Sequence, residues 1–315
     1  MARRRRGLSV NGVLLLDKPQ GMSSNFALQR VRRLFQAQKA GHTGTLDPMA
    51  TGLLPVCFGE ATKFSSHLLE SDKVYRTRLR LGETTDTGDA EGTVIERRPV
   101  RPFSETDVEN VLARFRGSIE QVPPMYSALK HQGRPLYELA RQGKSIERAP
   151  RRVTVYDTRL LARDTEGFDL EVACSKGTYI RTLAEDIGRE LGCGAHITAL
   201  RRLRTGPFGA SAEESGGTVA NADMLTLERI EEREDQASRE ALLLPMDVLV
   251  SHLPKIEVDD TAASRLLQGQ RARIDTVGLA QDDLVRLYRD QAFLGLVTVT
   301  AMGEIAPRRL VATAG

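Results

Sequence analysis

Apolar residues recur along this chain at two different periods. In KVYRTRLRLG (residues 73–82), Tyr75, Thr77, Leu79 and Leu81 alternate with Arg76, Arg78 and Arg80. Successive strand side chains point to opposite faces, so the pattern predicts a strand with one buried and one wet face. Phe168, Leu170, Val172 and Cys174 alternate with Asp169 and Glu171 in the same way. Val10 to Leu16 reads as a short buried strand that ends in the Pro/Gly turn DKPQG. Elsewhere the period is helical. Ala27, Val31 and Leu34, with Leu28 and Phe35 beside them, predict a helix capped by Ser23 or Ser24 and running to about Gln38. Ile180, Leu183, Ala184, Ile187 and Leu191 predict a second helix, starting near Tyr179 and stopping at Gly192. Arg181 falls in its first turn, where a cation opposes the helix dipole. It is either an ordinary surface partner or a residue with another task.

The text changes after residue 212. Residues 213–240 hold nine acids and three arginines, and read as a polar insertion or helical connection. From about Leu243, the short apolar stretches Lys255–Val258, Leu284–Tyr288 and Phe293–Thr300 are divided by Gly and Asp, which predicts a small β-rich appendage. The expected organisation is a basic tail over 1–9, a main domain over 10–244 and the appendage over 245–315.

Composition narrows the classes. A chain of 315 residues can hold two domains and a sizeable core. The longest apolar run near the N-terminus, Val13–Leu16, is too short for a secretory segment or a membrane span. Three Cys without CxxC spacing and five scattered His give no zinc site or disulfide framework, and fit a reducing cytoplasm. The net charge of +3 hides a pattern. Residues 1–46 carry nine bases against Asp17 alone, and 127–163 carry nine against Glu138, Glu147 and Asp157. Such tracts are either solvated surface or a footprint for a polyanion. Arg3 to Arg6 is a solubilising tail or a phosphate contact.

One loop carries the candidate chemistry. AGHTGTLDPMATGLLPV (residues 40–56) holds a single carboxylate, Asp47, and Pro48 after it biases its backbone away from helix. Such an Asp can shape the turn, or it can act as a base or nucleophile held by loop donors. A phosphate cradle is disfavoured, because no P-loop Lys follows. His42 can shuttle protons or stack on a nucleic-acid base. Tyr75 and Tyr179 are half-buried structural tyrosines or platforms for a base.

GHTGTLDPMATGLLPV resembles the catalytic motif of the TruB family of tRNA pseudouridine-55 synthases. Further stretches match in order: NGVLLLDKPQGMSS, KVYRTRLRLGETTDTGDAEG, VPPMYSALKHQGRPLYELAR, CSKGTYIRTLAEDIGRELG and ALRRLRTGPF, together spanning about residues 10 to 210. The C-terminal part is similar, more weakly, to the family's PUA-like RNA-binding domain. The Arg-rich start and 213–240 are the least family-like segments.

The resemblance implies an α+β fold with a mixed, largely antiparallel sheet and a central cleft. It implies conversion of uridine 55 in the tRNA T arm to pseudouridine, an isomerisation that calls for no metal or cofactor. Asp47 is then the catalytic Asp, Tyr75 stacks on the uracil and Arg181 pairs with Asp47, lowering its pKa. Asp89 completes an Asp–Arg–Asp network. Tyr179 and Leu200 line the uridine pocket, His42 fills the space left by the flipped nucleotide, and Lys18 and Pro19 buttress the loop. Lys130, Arg134, Arg141, Arg151 and Arg152 are expected on T-arm phosphates. The partner is tRNA, with no membrane and no protein partner, and the expected state is a monomer. Two rivals are a non-catalytic RNA-binding protein or chaperone of the same fold, and a guide-dependent pseudouridine synthase.

Overall fold

The alternating arginine stretch forms the middle of a nine-stranded sheet. A computed structural model describes residues 7–209, 224–300 and 303–312. Its first strands are β1 (Gly12–Lys18), β2 (Ala40–His42), β3 (Thr51–Phe58) and β4 (Lys73–Leu81), followed by a small hairpin of β5 (Glu83–Thr85) and β6 (Val94–Arg97). Next come β7 (Gly117–Gln121) and a second hairpin, β8 (Lys130–His131) with β9 (Arg134–Pro135). The long β10 (Arg151–Arg163), β11 (Gly167–Cys174), β12 (Ala195–Thr205) and β13 (Phe208–Gly209) complete the set. The sheet order is β1-β3-β12-β4-β11-β10-β7, with β2 beside β3 and β13 beside β12. Every pairing in it is antiparallel except β12 with β3. The expected mixed, largely antiparallel sheet is the one found.

Burial explains why the strands read differently in sequence. Leu14 and Leu16 of β1 face one core, with Ala27, Val31, Phe35, Leu54 and Val56. Val13 and Leu15 face a second, with Leu53, Phe64, Phe208 and Leu249. A strand covered on both faces is apolar throughout, so VLLL shows no alternation. In β4, Leu79 and Leu81 are buried while Arg76 and Arg80 are exposed, because only one face of that strand is covered.

The first helix spans Ser24–Leu34, with Ser23 as its cap, and stops short of the expected Gln38. Gln36 takes a left-handed φ of 48°, which breaks the helix just after Phe35. The second spans Ile180–Glu190, and Gly192 follows at φ 79°. Arg3–Arg6 and residues 213–223 lie outside the described residues. The rest of the acidic segment holds two short helices, Leu227–Glu231 and Gln236–Glu240. Leu225 and Leu244 on either side exchange backbone hydrogen bonds with β1, and Leu227 and Ile230 enter the first core.

A second sheet of five strands follows: β14 (Lys255–Glu257), β15 (Ala272–Arg273), β16 (Leu284–Arg289), β17 (Ala292–Val299) and β18 (Glu304–Leu310), in the order β14-β16-β17-β18-β15. It packs around its own core with the helix Asp260–Leu267. Leu296 joins the second core of the main sheet, and Phe293 meets Phe64 edge-on at 5.3 Å.

Candidate active site

The loop between β2 and β3 is held from several directions. Ser24 is buried and brackets Leu46: its Oγ donates to the Leu46 carbonyl at 2.8 Å and accepts from the Leu46 N–H at 2.7 Å. Lys18, fully buried at the end of β1, donates its Nζ to the carbonyls of Pro19 (2.9 Å), Met22 (2.6 Å) and Pro48 (3.4 Å). The Gly21 N–H adds a bond to the Pro48 carbonyl. Arg202, 1% exposed, donates Nη2 to Gly44 O at 3.2 Å and Nε to Leu53 O at 2.7 Å. The loop therefore presents Asp47 from a fixed backbone.

Arg181 reaches the same point from its helix. Its Nη2 stands 3.1 Å from Asp47 Oδ2 and its Nε 3.6 Å from Asp89 Oδ2. Its remaining bonds run to the carbonyls of Thr87 (2.7 Å) and Tyr126 (2.6 Å). A cation in a helical first turn is tolerable here because four oxygen-bearing neighbours surround the guanidinium rather than helix N–H groups alone. The Asp89 carboxylate is buried, and its Oδ1 accepts from Thr87 Oγ1 (2.6 Å) and the Glu91 N–H (3.0 Å). Asp47 differs, keeping 37% of its side chain exposed toward open space.

That space is a cavity of about 430 Å³. Asp47, Tyr75, Tyr179, Arg181 and Leu200 line it together, with Lys73, Ser127 and Arg202. Its size suits one nucleoside rather than a macromolecular surface. Tyr179 caps the Arg181 helix, and its backbone is bracketed by the buried Gln121 side chain, which accepts from the N–H and donates to the carbonyl. Burial pushes the Tyr75 and Tyr179 hydroxyls up, so both remain protonated donors.

Arg181 is not the largest influence on Asp47. It lowers the carboxylate's pKa, as expected, but does not bring it down to the usual carboxylate range. Instead burial raises Asp47 above it, and the repulsion of Asp89 adds to the rise, while Arg181 and Lys18 only partly oppose it. Lys18 and Lys73 are pushed down to about 8, chiefly by burial.

Other expected residues stand outside the cavity. His42 closes β2 opposite Val56, with a buried, unpartnered Nδ1, and burial lowers its pKa. Pro19 is half-buried in the turn after β1, and Asp89 lies behind Arg181. Lys130, Arg134, Arg141, Arg151 and Arg152 are all exposed. Lys130 and Arg134 sit on the β8–β9 hairpin, Arg141 stacks over Tyr137, and Arg151 and Arg152 start β10. Ser24, Lys73 and Arg202 were not singled out from sequence. Ser24 read only as a possible cap, and Arg202 as one of several bases in ALRRLRT.

Among the described residues, no group of three or more His, Cys, Asp or Glu could hold a metal, and no helix is long and apolar enough to cross a membrane.

Comparison with known proteins agrees with this geometry. The family model described as TruB family pseudouridylate synthase (N terminal domain) matches residues 32–180. Two C-terminal models, tRNA pseudouridylate synthase B C-terminal domain and Pseudouridine synthase II TruB, C-terminal, match 181–251 and 254–311. A protein of Chromohalobacter salexigens named tRNA pseudouridine synthase B is 69% identical over 314 residues, covering 100% of this chain and 98% of its own. One of the same name from Azoarcus sp. is 54% identical, covering 96% of each. A chain in the crystal structure of a Cbf5-Nop10-Gar1 complex superposes with a TM-score of 0.67 at 27% identity, over 93% of this chain and 79% of that one. On these matches the chain belongs to the TruB family of pseudouridylate synthases.

Proposed function

We propose that this chain converts uridine 55 of tRNA to pseudouridine, taking the nucleotide flipped out of the T loop. One observation carries the reading. A single carboxylate, Asp47, opens into a nucleoside-sized cavity while a buried Arg181 holds it 3.1 Å away. An isomerisation needs one group that can take and return a proton or hold C1′, since the uracil itself is retained.

In the reading favoured here, Asp47 takes the C2′ proton of the ribose. The N1–C1′ bond breaks and uracil leaves with the electron pair. The base turns between Tyr75 and Leu200, its C5 bonds to C1′, and the proton returns to C2′. C5 then loses its hydrogen and N1 ends protonated, so atoms and charge balance without a co-reactant. A carboxylate raised above its ordinary range is a better base than a free one. The Tyr75 ring offers a face for the uracil, and its protonated hydroxyl is a hydrogen-bond donor at the edge of the base. Extruding the base costs a few kcal/mol, less from a loop than from a duplex. The exposed bases Lys130, Arg134, Arg141, Arg151 and Arg152 would take T-arm phosphates, and the PUA-like second sheet would extend the RNA contact.

The test is to incubate wild type and Asp47→Asn with unmodified tRNA transcript, and to map pseudouridine by carbodiimide labelling and primer extension. A single T-loop product from wild type alone supports the proposal. Tight binding without product would make the chain an RNA-binding relative or a guide-dependent synthase.

A further inference from the structure

Arg202 is the least expected charge in the molecule. It is 1% exposed and the bulkiest fully buried side chain, yet among the described residues no carboxylate lies within ion-pairing distance of it. Its near neighbours include further cations. Arg202 adds to burial in lowering Lys18, Lys73 and His42. A buried cation without a counter-ion destabilises a fold, and an apolar residue of similar size is often tolerated as well or better. Its placement therefore calls for a reason other than stability.

The bonds supply one. Arg202 Nη2 donates to Gly44 O, three residues before Asp47, and Nε donates to Leu53 O, six residues after it. Its backbone pairs with Gly52 in the sheet's parallel contact, and Gly52 takes a φ of 97° where a Cβ would lie 2.3 Å from Arg202 O. On the other side of β12, Arg202 is in register with Tyr75. One side chain thus spans both ends of the Asp47 loop from the strand that adjoins Tyr75.

We propose that Arg202 is a positioning residue for the reaction: it clasps the two ends of the 43–50 loop and sets Asp47 against Tyr75 across the cavity. The planar guanidinium suits this task, because it holds two carbonyls at fixed angles at once, whereas an ammonium is a point donor. The inference rests on the proposed isomerase reading for its rate prediction, but the clasp itself does not.

Two variants test it, Arg202→Met and Arg202→Lys. With tRNA transcript, Arg202→Met is expected to slow single-turnover conversion about a hundredfold, the scale of an ångström-sized misplacement, with the tRNA Kd changed less than about threefold. Arg202→Lys is expected to recover part of that rate by donating to one carbonyl at a time. Hydrogen exchange without RNA should show faster exchange at residues 43–50 in Arg202→Met, and unchanged exchange in β11. A wild-type rate in either variant, or a rate loss matched by an equal loss of binding, overturns the proposal. Should Arg202→Met not fold, the Arg202→Lys rate and exchange decide alone. Should the wild type form no pseudouridine, the isomerase reading fails, while the exchange at 43–50 still tests the clasp: unchanged protection there refutes it.

Discussion

Arg181 Nη2 lies 3.1 Å from Asp47 Oδ2, and the Asp47 carboxylate is nonetheless raised above its ordinary pKa. The guanidinium is shared: Asp89 stands 3.6 Å from its Nε, and two backbone carbonyls take further N–H groups. A cation divided among four partners offsets burial only partly, and the second carboxylate repels the first.

The pH dependence follows from that balance. Asp47 must be ionised to act as a base, so the acid limb of the single-turnover rate should lie above the usual carboxylate range. Arg181 is the main influence holding it down. Arg181→Met, through its residual rate, should move the limb to higher pH. An unmoved or lower limb would show that Arg181 does not act on Asp47.

Asp47→Asn should abolish turnover and leave the tRNA Kd within about threefold, since loss of a group used only in the transition state spares binding. Its stability should also change, with a definite sign. The folded pKa is raised above the unfolded 3.8, so the folded state binds the proton more tightly. Ionised Asp47 then costs stability above its folded pKa, and this cost vanishes below the unfolded one. Asp47→Asn should melt higher than wild type at neutral pH, with the gap closing as pH falls toward 3.8. Calorimetry across that range checks it, and a gap that widens in acid would contradict it.

Arg181→Lys should lose about a hundredfold or more in rate despite retaining the charge, because an ammonium cannot meet Asp47, Asp89 and two carbonyls at once. Single-turnover kinetics against the Asp89→Asn variant would separate the two carboxylates. Asp89→Asn should retain more activity, as Asp89 lies behind Arg181 and outside the cavity.

The exposed bases should act through salt. Neutralising one that contacts a phosphate, such as Arg151→Gln, should reduce the slope of log Kd against log salt by about one. Filter binding at several salt concentrations measures this for Lys130, Arg134, Arg141, Arg151 and Arg152. An unchanged slope for all five would remove them from the interface.

Gly52→Ala should destabilise the protein by roughly 1–3 kcal/mol, the strain of an L-residue held at positive φ. The added Cβ would also press on Arg202 O, so tertiary repulsion adds to the strain. Chemical denaturation checks the magnitude.

Much of the fold was legible because its signals are local. The alternation in β4 and β11 and the helical spacing of Ile180–Glu190 arise from covalent geometry that any window of the chain displays. The Asp47 loop was legible for the same reason, as a carboxylate before Pro among Gly and Thr. The helix starting at Ser24 was read too long, because apolar residues continue past the left-handed Gln36. Ser23 and Ser24 are equivalent as caps in sequence. Only the approach of Leu46 makes one a cap and the other a brace for the loop.

Residue spacing by itself therefore predicted β1, β4, β11 and the helices Ser24–Leu34 and Ile180–Glu190, while the motif text of six separate stretches carried the candidate base and the family resemblance. Tertiary structure decided the charge environment. In ALRRLRT, strict alternation places Arg202 opposite to Leu203, and a hydrophobic reading sends the arginine to solvent. Arg202 instead shares the buried face with Leu200, two residues before it, and the bulge between Arg202 and Arg204 comes only after it. Desolvation and Coulomb interaction depend on distances between residues far apart in the chain. Hence the direction of the Asp47 shift, the sharing of Arg181 and the burial of Arg202 emerge only once β1, β3, β4 and β12 are packed side by side.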